Sequence, residues 1–242
     1  MRVELHSCFL LHKKAYRETS LLLEVFSKEH GRVGLVSKGG ANKKLLNRNL
    51  QAFIPLQMSW TGRGELGNLI NAEPEGQPML LTGDKLFLGY YLNELLIRLL
   101  HRHDPYSQLF DIYSLVLKEL VETSCQETTL RLFEKRMLEE LGYGLILDHE
   151  VSSGTKIVPE ASYDYVSGEG PRLINSASVK TNGVRITGET IQILQMETLL
   201  KSKENRAEAK RLMRYLLAPI LGDKPLKTKK IFKTMKLNEV IQ

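Results

Sequence analysis

Cysteine is scarce in this chain of 242 residues: its two copies, Cys8 and Cys125, lie 117 positions apart. That count excludes a disulfide framework and any zinc site built on paired CxxC or CxxH ligands. Each cysteine instead reads as a small, partly buried hydrophobe. Long apolar runs are also missing. The richest stretch, Leu86–Leu100, is interrupted by Asn93, Glu94 and Arg98, and it falls short of the roughly 20 residues that span a bilayer. The opening MRVELHSCFLLHKKAYRE holds a four-residue apolar run before charge returns, which is too short for a signal peptide. A cytoplasmic protein with no membrane association is expected. With 42% apolar and 26% charged residues, the chain has enough core material to exclude global disorder.

Nucleotide and hydrolase motifs are lacking as well. No glycine-rich loop leads into Lys-Ser or Lys-Thr, and neither HExxH nor GxSxG occurs. Gly62-Arg63-Gly64-Glu65-Leu66-Gly67 has spaced glycines, but no helical pattern follows, so it reads as a hairpin. His101, His103 and Asp104 read as surface or helix-end residues, and Glu139–Glu140 as solvated acids. No catalytic residue, metal or cofactor is expected. A metal-dependent nuclease with carboxylates converging from distant segments, or an adaptor that binds only protein, remains the alternative.

Charge is present in excess and unevenly spread. Residues 1–80 carry 11 basic and 7 acidic side chains, residues 81–150 carry 7 and 12, and residues 151–242 carry 16 and 9. Two basic lobes flank an acidic middle, so a polyanion is the expected partner at the ends.

The periodicity divides the chain similarly. Val3–Leu11, Ser20–Phe26, Arg32–Ser37, Phe53–Trp60 and Leu66–Ala72 alternate or run apolar over strand lengths, with glycine-bearing turns between them. Five short strands predict a small closed barrel over residues 1–80, of oligonucleotide-binding (OB) or SH3-like type. Residues 81–242 then form a mostly helical domain, giving an α+β multidomain protein. Its predicted helices are Asp84–His101, Tyr106–Val121, Glu127–Leu141 with Gly142 as cap, Ile191–Leu200, and Glu204–Leu217 limited by Pro219. Residues 143–185 form a turn-rich excursion with a hairpin of Tyr163–Val166 and Arg172–Ile174.

Two basic stretches suit phosphate binding. Arg32, Lys38, Lys43, Lys44 and Arg48 form a loop-centred patch with Arg63 in a nearby turn, while Phe26, Phe53 and Trp60 are candidate stacking rings. The second stretch, Lys224–Lys236, has six lysines and no acid; Lys227, Lys229, Lys230 and Lys233 are its auxiliary DNA-contact candidates.

Several segments carry a resemblance. Tyr16–Phe26, Gly31-Arg32-Val33, Lys38-Gly39, Gln51–Leu56, Gly62–Leu66, Tyr91–Leu95, Arg131–Glu134, Leu141–Gly144 and Leu221–Lys227 together make the chain similar to the bacterial RecO family across nearly its whole length. The resemblance implies an N-terminal OB barrel and a helical domain that act without covalent chemistry in recombinational repair by the RecF pathway. It further implies binding of single- and double-stranded DNA, strand annealing, and cooperation with RecR in loading RecA onto strands coated by single-stranded-DNA-binding protein (SSB). The acidic SSB tail would be held on the helical domain, with Arg131 as carboxylate clamp beside Phe133, and the protein would be nucleoid-associated. Many relatives carry a four-cysteine zinc module after Leu-Gly-Tyr-Gly. Here Glu150 and Ser153 stand near the places of the first cysteine pair, and no cysteine occurs at Ile174–Ala177. The excursion is therefore expected to hold together without zinc.

Overall fold

The computed structural model describes residues 2–39, 48–62, 64–175, 183–232 and 234. Two compact units emerge. The first comprises Met1–Glu122 and Lys224–Gln242, and the second Thr123–Asp223.

Five strands close the barrel of the first unit: β1 (Arg2–Tyr16), β2 (Ser20–Ser27), β3 (Gly31–Ser37), β4 (Pro55–Thr61) and β5 (Leu66–Pro74). Their order is β1-β2-β3-β5-β4, with β4 returning to β1 and β3 running parallel to β5. That closure is the OB topology, and it leaves no open sheet edge. The alternating residues anticipated from the sequence point inward: Val3, Cys8, Leu10, Leu23, Val25, Val33, Leu35, Leu56, Met58 and Leu69 share one core. Burial pushes the Cys8 thiol far up, so it stays protonated.

The first strand is long because it serves two partners, β4 with its first half and β2 with its second. It shifts register between Leu10 and His12, leaving Leu11 outside the ladder as in a β-bulge. The Leu11 carbonyl then accepts a hydrogen bond of 2.9 Å from the Asn93 amide. Asn93 belongs to α1 (Asp84–Leu99), and its own carbonyl accepts from the hydroxyl of Tyr113 on α2 (Ser107–Glu122). On α2 the buried stripe Leu109, Phe110, Tyr113, Val116, Leu117 and Leu120 recurs at helical spacing. Two of its rings meet the barrel, Phe110 at 5.2 Å and Tyr113 at 5.1 Å from the Phe9 centroid. The two helices therefore pack on the barrel as well as on each other.

In the second unit, α3 (Gln126–Glu140) precedes a three-stranded sheet ordered β7-β6-β8, formed by β6 (Ser162–Val166), β7 (Gly170–Leu173) and β8 (Val184–Thr187). Helices α4 (Gly188–Met196) and α5 (Lys203–Leu221) follow. At the end of α3, Gly142 has φ +82° and its amide reaches Glu139 O, while Tyr143 N reaches Leu138 O, the paired bonds of a Schellman cap. Glu208 of α5 accepts from Thr187 N and from the Thr187 and Thr190 hydroxyls at 2.6–3.0 Å, locking the β8–α4 junction. Three features differ from the sequence reading: β8 is an additional strand, α4 ends at Met196 rather than running to Leu200, with Glu197 at φ +53°, and α5 continues past Pro219 to Leu221. Proline so near a helix end forfeits one terminal bond, which a helix tolerates far better than an interior break.

Removing the Tyr113 hydroxyl leaves the buried Asn93 carbonyl without that donor. Tyr113→Phe should therefore destabilise the protein by about 1–3 kcal/mol, measured by denaturant or thermal unfolding. An unchanged unfolding midpoint would show that this bond contributes nothing net.

Candidate nucleic-acid interface

The β1–β2 hairpin projects Lys13, Lys14 and Arg17, all exposed. Arg17, at φ +54°, sets its guanidinium 5.2 Å from the Tyr16 ring centroid, within cation–π range. Lys38 follows β3, whose last residue pairs with Leu21 beside the hairpin turn. At Gly39 a Cβ would lie 2.4 Å from Thr19, so this backbone rests directly on the turn. Lys13 Nζ donates to Leu50 O at 2.6 Å, bringing the segment that holds the exposed Arg48 to the same end of the barrel. Lys13, Lys14, Arg17, Lys38 and Arg48 thus share one barrel end, with Glu18 the acid in the turn. Such a cluster attracts phosphate without reading bases.

Lys13, Lys14 and Arg17 did not belong to the patch read from sequence, although the compact HKKAYR run was its available signal. Lys43, Lys44 and Arg63 lie outside the described residues, as does Lys233. Arg32 is committed elsewhere: its Nε donates to Leu100 O at 3.0 Å and its Nη1 to Glu24 at 3.1 Å, with Arg102 on the other Glu24 oxygen. It staples the barrel to residues 100–102. The candidate stacking rings are also inside, with Phe26, Phe53 and Trp60 0%, 4% and 6% exposed.

The C-terminal lysines divide between two tasks. Their side chains at 227, 229 and 230 are exposed. The backbone amides of Lys227 and Thr228, with the Thr228 hydroxyl, bind the Glu94 carboxylate at 2.6–2.9 Å, while Arg98 donates to Lys224 O. Burial would raise the Glu94 pKa, but the Thr228 and Lys227 hydrogen bonds prevail and hold it below the ordinary value.

In the second unit, Arg131 and Phe133 are both buried. The Arg131 side chain is 8% exposed and pairs at 3.1 Å with the wholly buried Glu134. On the same helix Lys135 reaches Glu139 and Glu197 at 3.0 and 2.7 Å. In the excursion, Glu150 takes hydrogen bonds from the Ser152 and Ser153 amides and the Ser153 hydroxyl, with Leu173 N at 3.4 Å. Glu150, which the resemblance places near the first cysteine of the relatives' zinc module, is thus a carboxylate saturated by a serine turn. Ser153 supplies a hydroxyl already shared with Glu150 and Thr155. These donors do not fit a thiolate-held zinc.

Two family models match this chain: "Recombination protein O N terminal" over residues 1–77 and "Recombination protein O C terminal" over residues 80–230. The DNA repair protein RecO of Nitrosococcus oceani is 44% identical over 237 residues, covering 98% of this chain and 95% of that protein. Those of Nitrosospira multiformis and Methylococcus capsulatus are each 42% identical and cover 96% of this chain. An OB barrel with a cationic end defines the class of the first unit. The chain as a whole belongs to the RecO family of DNA repair proteins. No described helix is long and apolar enough to cross a membrane.

Two outcomes follow from the second unit. Arg131→Glu sets two carboxylates together in a buried site, and breaking such a pair costs about 3–5 kcal/mol. Thermal unfolding should register that loss before any binding effect, and a stable variant would refute the structural role. For Glu150, burial acts to raise the pKa, but the Ser153 and Ser152 hydrogen bonds hold it to about 2 against an ordinary 4.5. Its contribution to stability is therefore full above the unfolded value and lost as pH falls from about 4.5 toward 2. Glu150→Gln should flatten the acid limb of stability against pH, whereas chelator treatment should leave the unfolding midpoint unmoved.

Proposed function

We propose that this protein is a non-enzymatic recombination mediator of the RecF pathway. The observation that carries the reading is the convergence of Lys13, Lys14, Arg17, Lys38 and Arg48 at one end of an OB barrel, in a chain of the RecO family. Cations there engage the backbones of single- and double-stranded DNA, screening the repulsion between two strands so that their own base pairing supplies fidelity. Lys43, Lys44 and Arg63 are further DNA-binding residues in this reading, and Lys227, Lys229, Lys230 and Lys233 give auxiliary contacts. Arg32 is held instead by Glu24 and the Leu100 carbonyl and serves the packing of the barrel. The protein anneals complementary strands and cooperates with RecR in loading RecA onto SSB-coated DNA at the nucleoid, in the cytoplasm. The second unit takes the acidic SSB tail, with Arg131 and Phe133 shaping that region from inside the helix packing.

The test is a DNA-binding titration at several salt concentrations. Jointly replacing Lys14, Arg17 and Lys38 by Glu should weaken binding and reduce the steepness of log K against log salt by about 2–3, as expected for three lost phosphate contacts. Unchanged affinity and slope in a folded triple variant would reject this surface. Protein-dependent strand cleavage with Mg²⁺ that survives repurification would reject the non-enzymatic reading.

A further inference from the structure

Phe26, Phe53 and Trp60 turn inward, but another aromatic ring stands among the cations at the hairpin end of the barrel. Tyr16 is the last residue of β1, half-buried, and pairs across the hairpin with Ser20. Alternation sets Lys14 and Tyr16 on one face of the strand and Lys13, opposite the wholly buried Leu23, on the other. On the far side of the hairpin Leu21 pairs with Ser37. One residue further in that register Lys38 comes beside Ser20, in keeping with Gly39 resting on Thr19. Tyr16 therefore has Lys14 one step back along its own strand face and Lys38 across the short Ser20 side chain. Both lysines are exposed.

The turn fixes this ring before any ligand arrives. Arg17 adopts φ +54°, a left-handed backbone that L side chains rarely take and that glycine or asparagine usually supplies. From there its guanidinium lies 5.2 Å from the Tyr16 centroid and holds the ring by cation–π attraction. Phosphate binding alone requires neither the left-handed turn nor the ring. A base in an unpaired strand can use both, because its own ring stacks while its phosphates meet Lys14 and Lys38. A ring of fixed orientation also has little freedom to lose on binding. The bases of a duplex are enclosed in their own stack and cannot reach it.

We propose that Tyr16 is a stacking platform for one base of single-stranded DNA, held in place by Arg17 and flanked by Lys14 and Lys38. The inference rests on the DNA-binding reading above. It adds a contact that separates single strands from duplex without reading sequence, on a surface that otherwise grips only phosphates.

The experiment follows labelled-strand anisotropy with the unaltered protein, Tyr16→Leu and Tyr16→Phe. Its ligands are oligothymidylate, an abasic strand of equal phosphate count and a duplex of equal length. The unaltered protein should bind thymidylate at least about fivefold more tightly than the abasic strand, as one base–aromatic stack provides. Tyr16→Leu should bring those two strands to equal affinity and lower the ratio of thymidylate to duplex affinity by the same factor. Tyr16→Phe, which keeps the ring, should retain the preference. Should Tyr16→Leu fail to fold, Tyr16→Met, which keeps bulk without a π face, takes its place. Equal affinity of the unaltered protein for the thymidylate and abasic strands would overturn the platform while leaving phosphate binding standing. So would a preference that survives loss of the ring, or one that disappears in Tyr16→Phe. An equal loss on all three ligands in Tyr16→Leu would show a role in shaping the turn alone and overturn it too. Binding of no ligand by the unaltered protein would overturn the DNA-binding reading as well.

Discussion

The carboxamide of Asn93 is the joint on which the first unit depends. It is 2% exposed and works in both directions, donating to the bulged Leu11 carbonyl and accepting from Tyr113. A bulge inside a barrel would ordinarily leave a buried carbonyl unpaired, at a cost of about 1–3 kcal/mol. Here the same irregularity makes the barrel specific for the helix beneath it. Aliphatic packing alone would hold α1 and α2 near the barrel, but it would fix their rotation and register less sharply.

The neighbouring residue extends this arrangement to the far end of the chain. Asn93 faces the barrel, whereas Glu94 binds the amides at 227 and 228. The first unit is therefore discontinuous: the chain leaves it after Glu122 and rejoins it at Lys224. The family models divide the sequence between residues 77 and 80, but packing groups α1 and α2 with the barrel. Arg32 and Lys28 reinforce this grouping through Leu100 O and Asp111. Basic residues in the β2–β3 region are thus partly structural, and those at the hairpin end of the barrel are left to face solvent.

The barrel strands were legible because alternation over seven or more residues is a strong signal, and the helices because their apolar stripes recur over several turns. β8 was not, since the four residues Val184–Thr187 carry too short an alternation to stand out from a turn-rich stretch. Function was harder to read than fold. A lysine or arginine looks the same in sequence whether it meets solvent, as Lys38 does, or a carboxylate brought from elsewhere, as Arg32 meets Glu24. Phe26 and Trp60 were similarly ambiguous, because strand alternation does not say which face closes inward.

The contact between Glu94 and Thr228 has a consequence for synthesis. Its partners are 134 positions apart, and a ribosome adding about 5–20 residues per second needs roughly 7–27 s to cross that interval. Once Glu122 has been added the barrel and its two helices are made, yet Glu94 still waits without the amides that bind it. The whole second unit emerges during the delay. The nascent first unit therefore exists for seconds as an incomplete body, with one face of α1 uncovered until nearly the last turn of chain arrives.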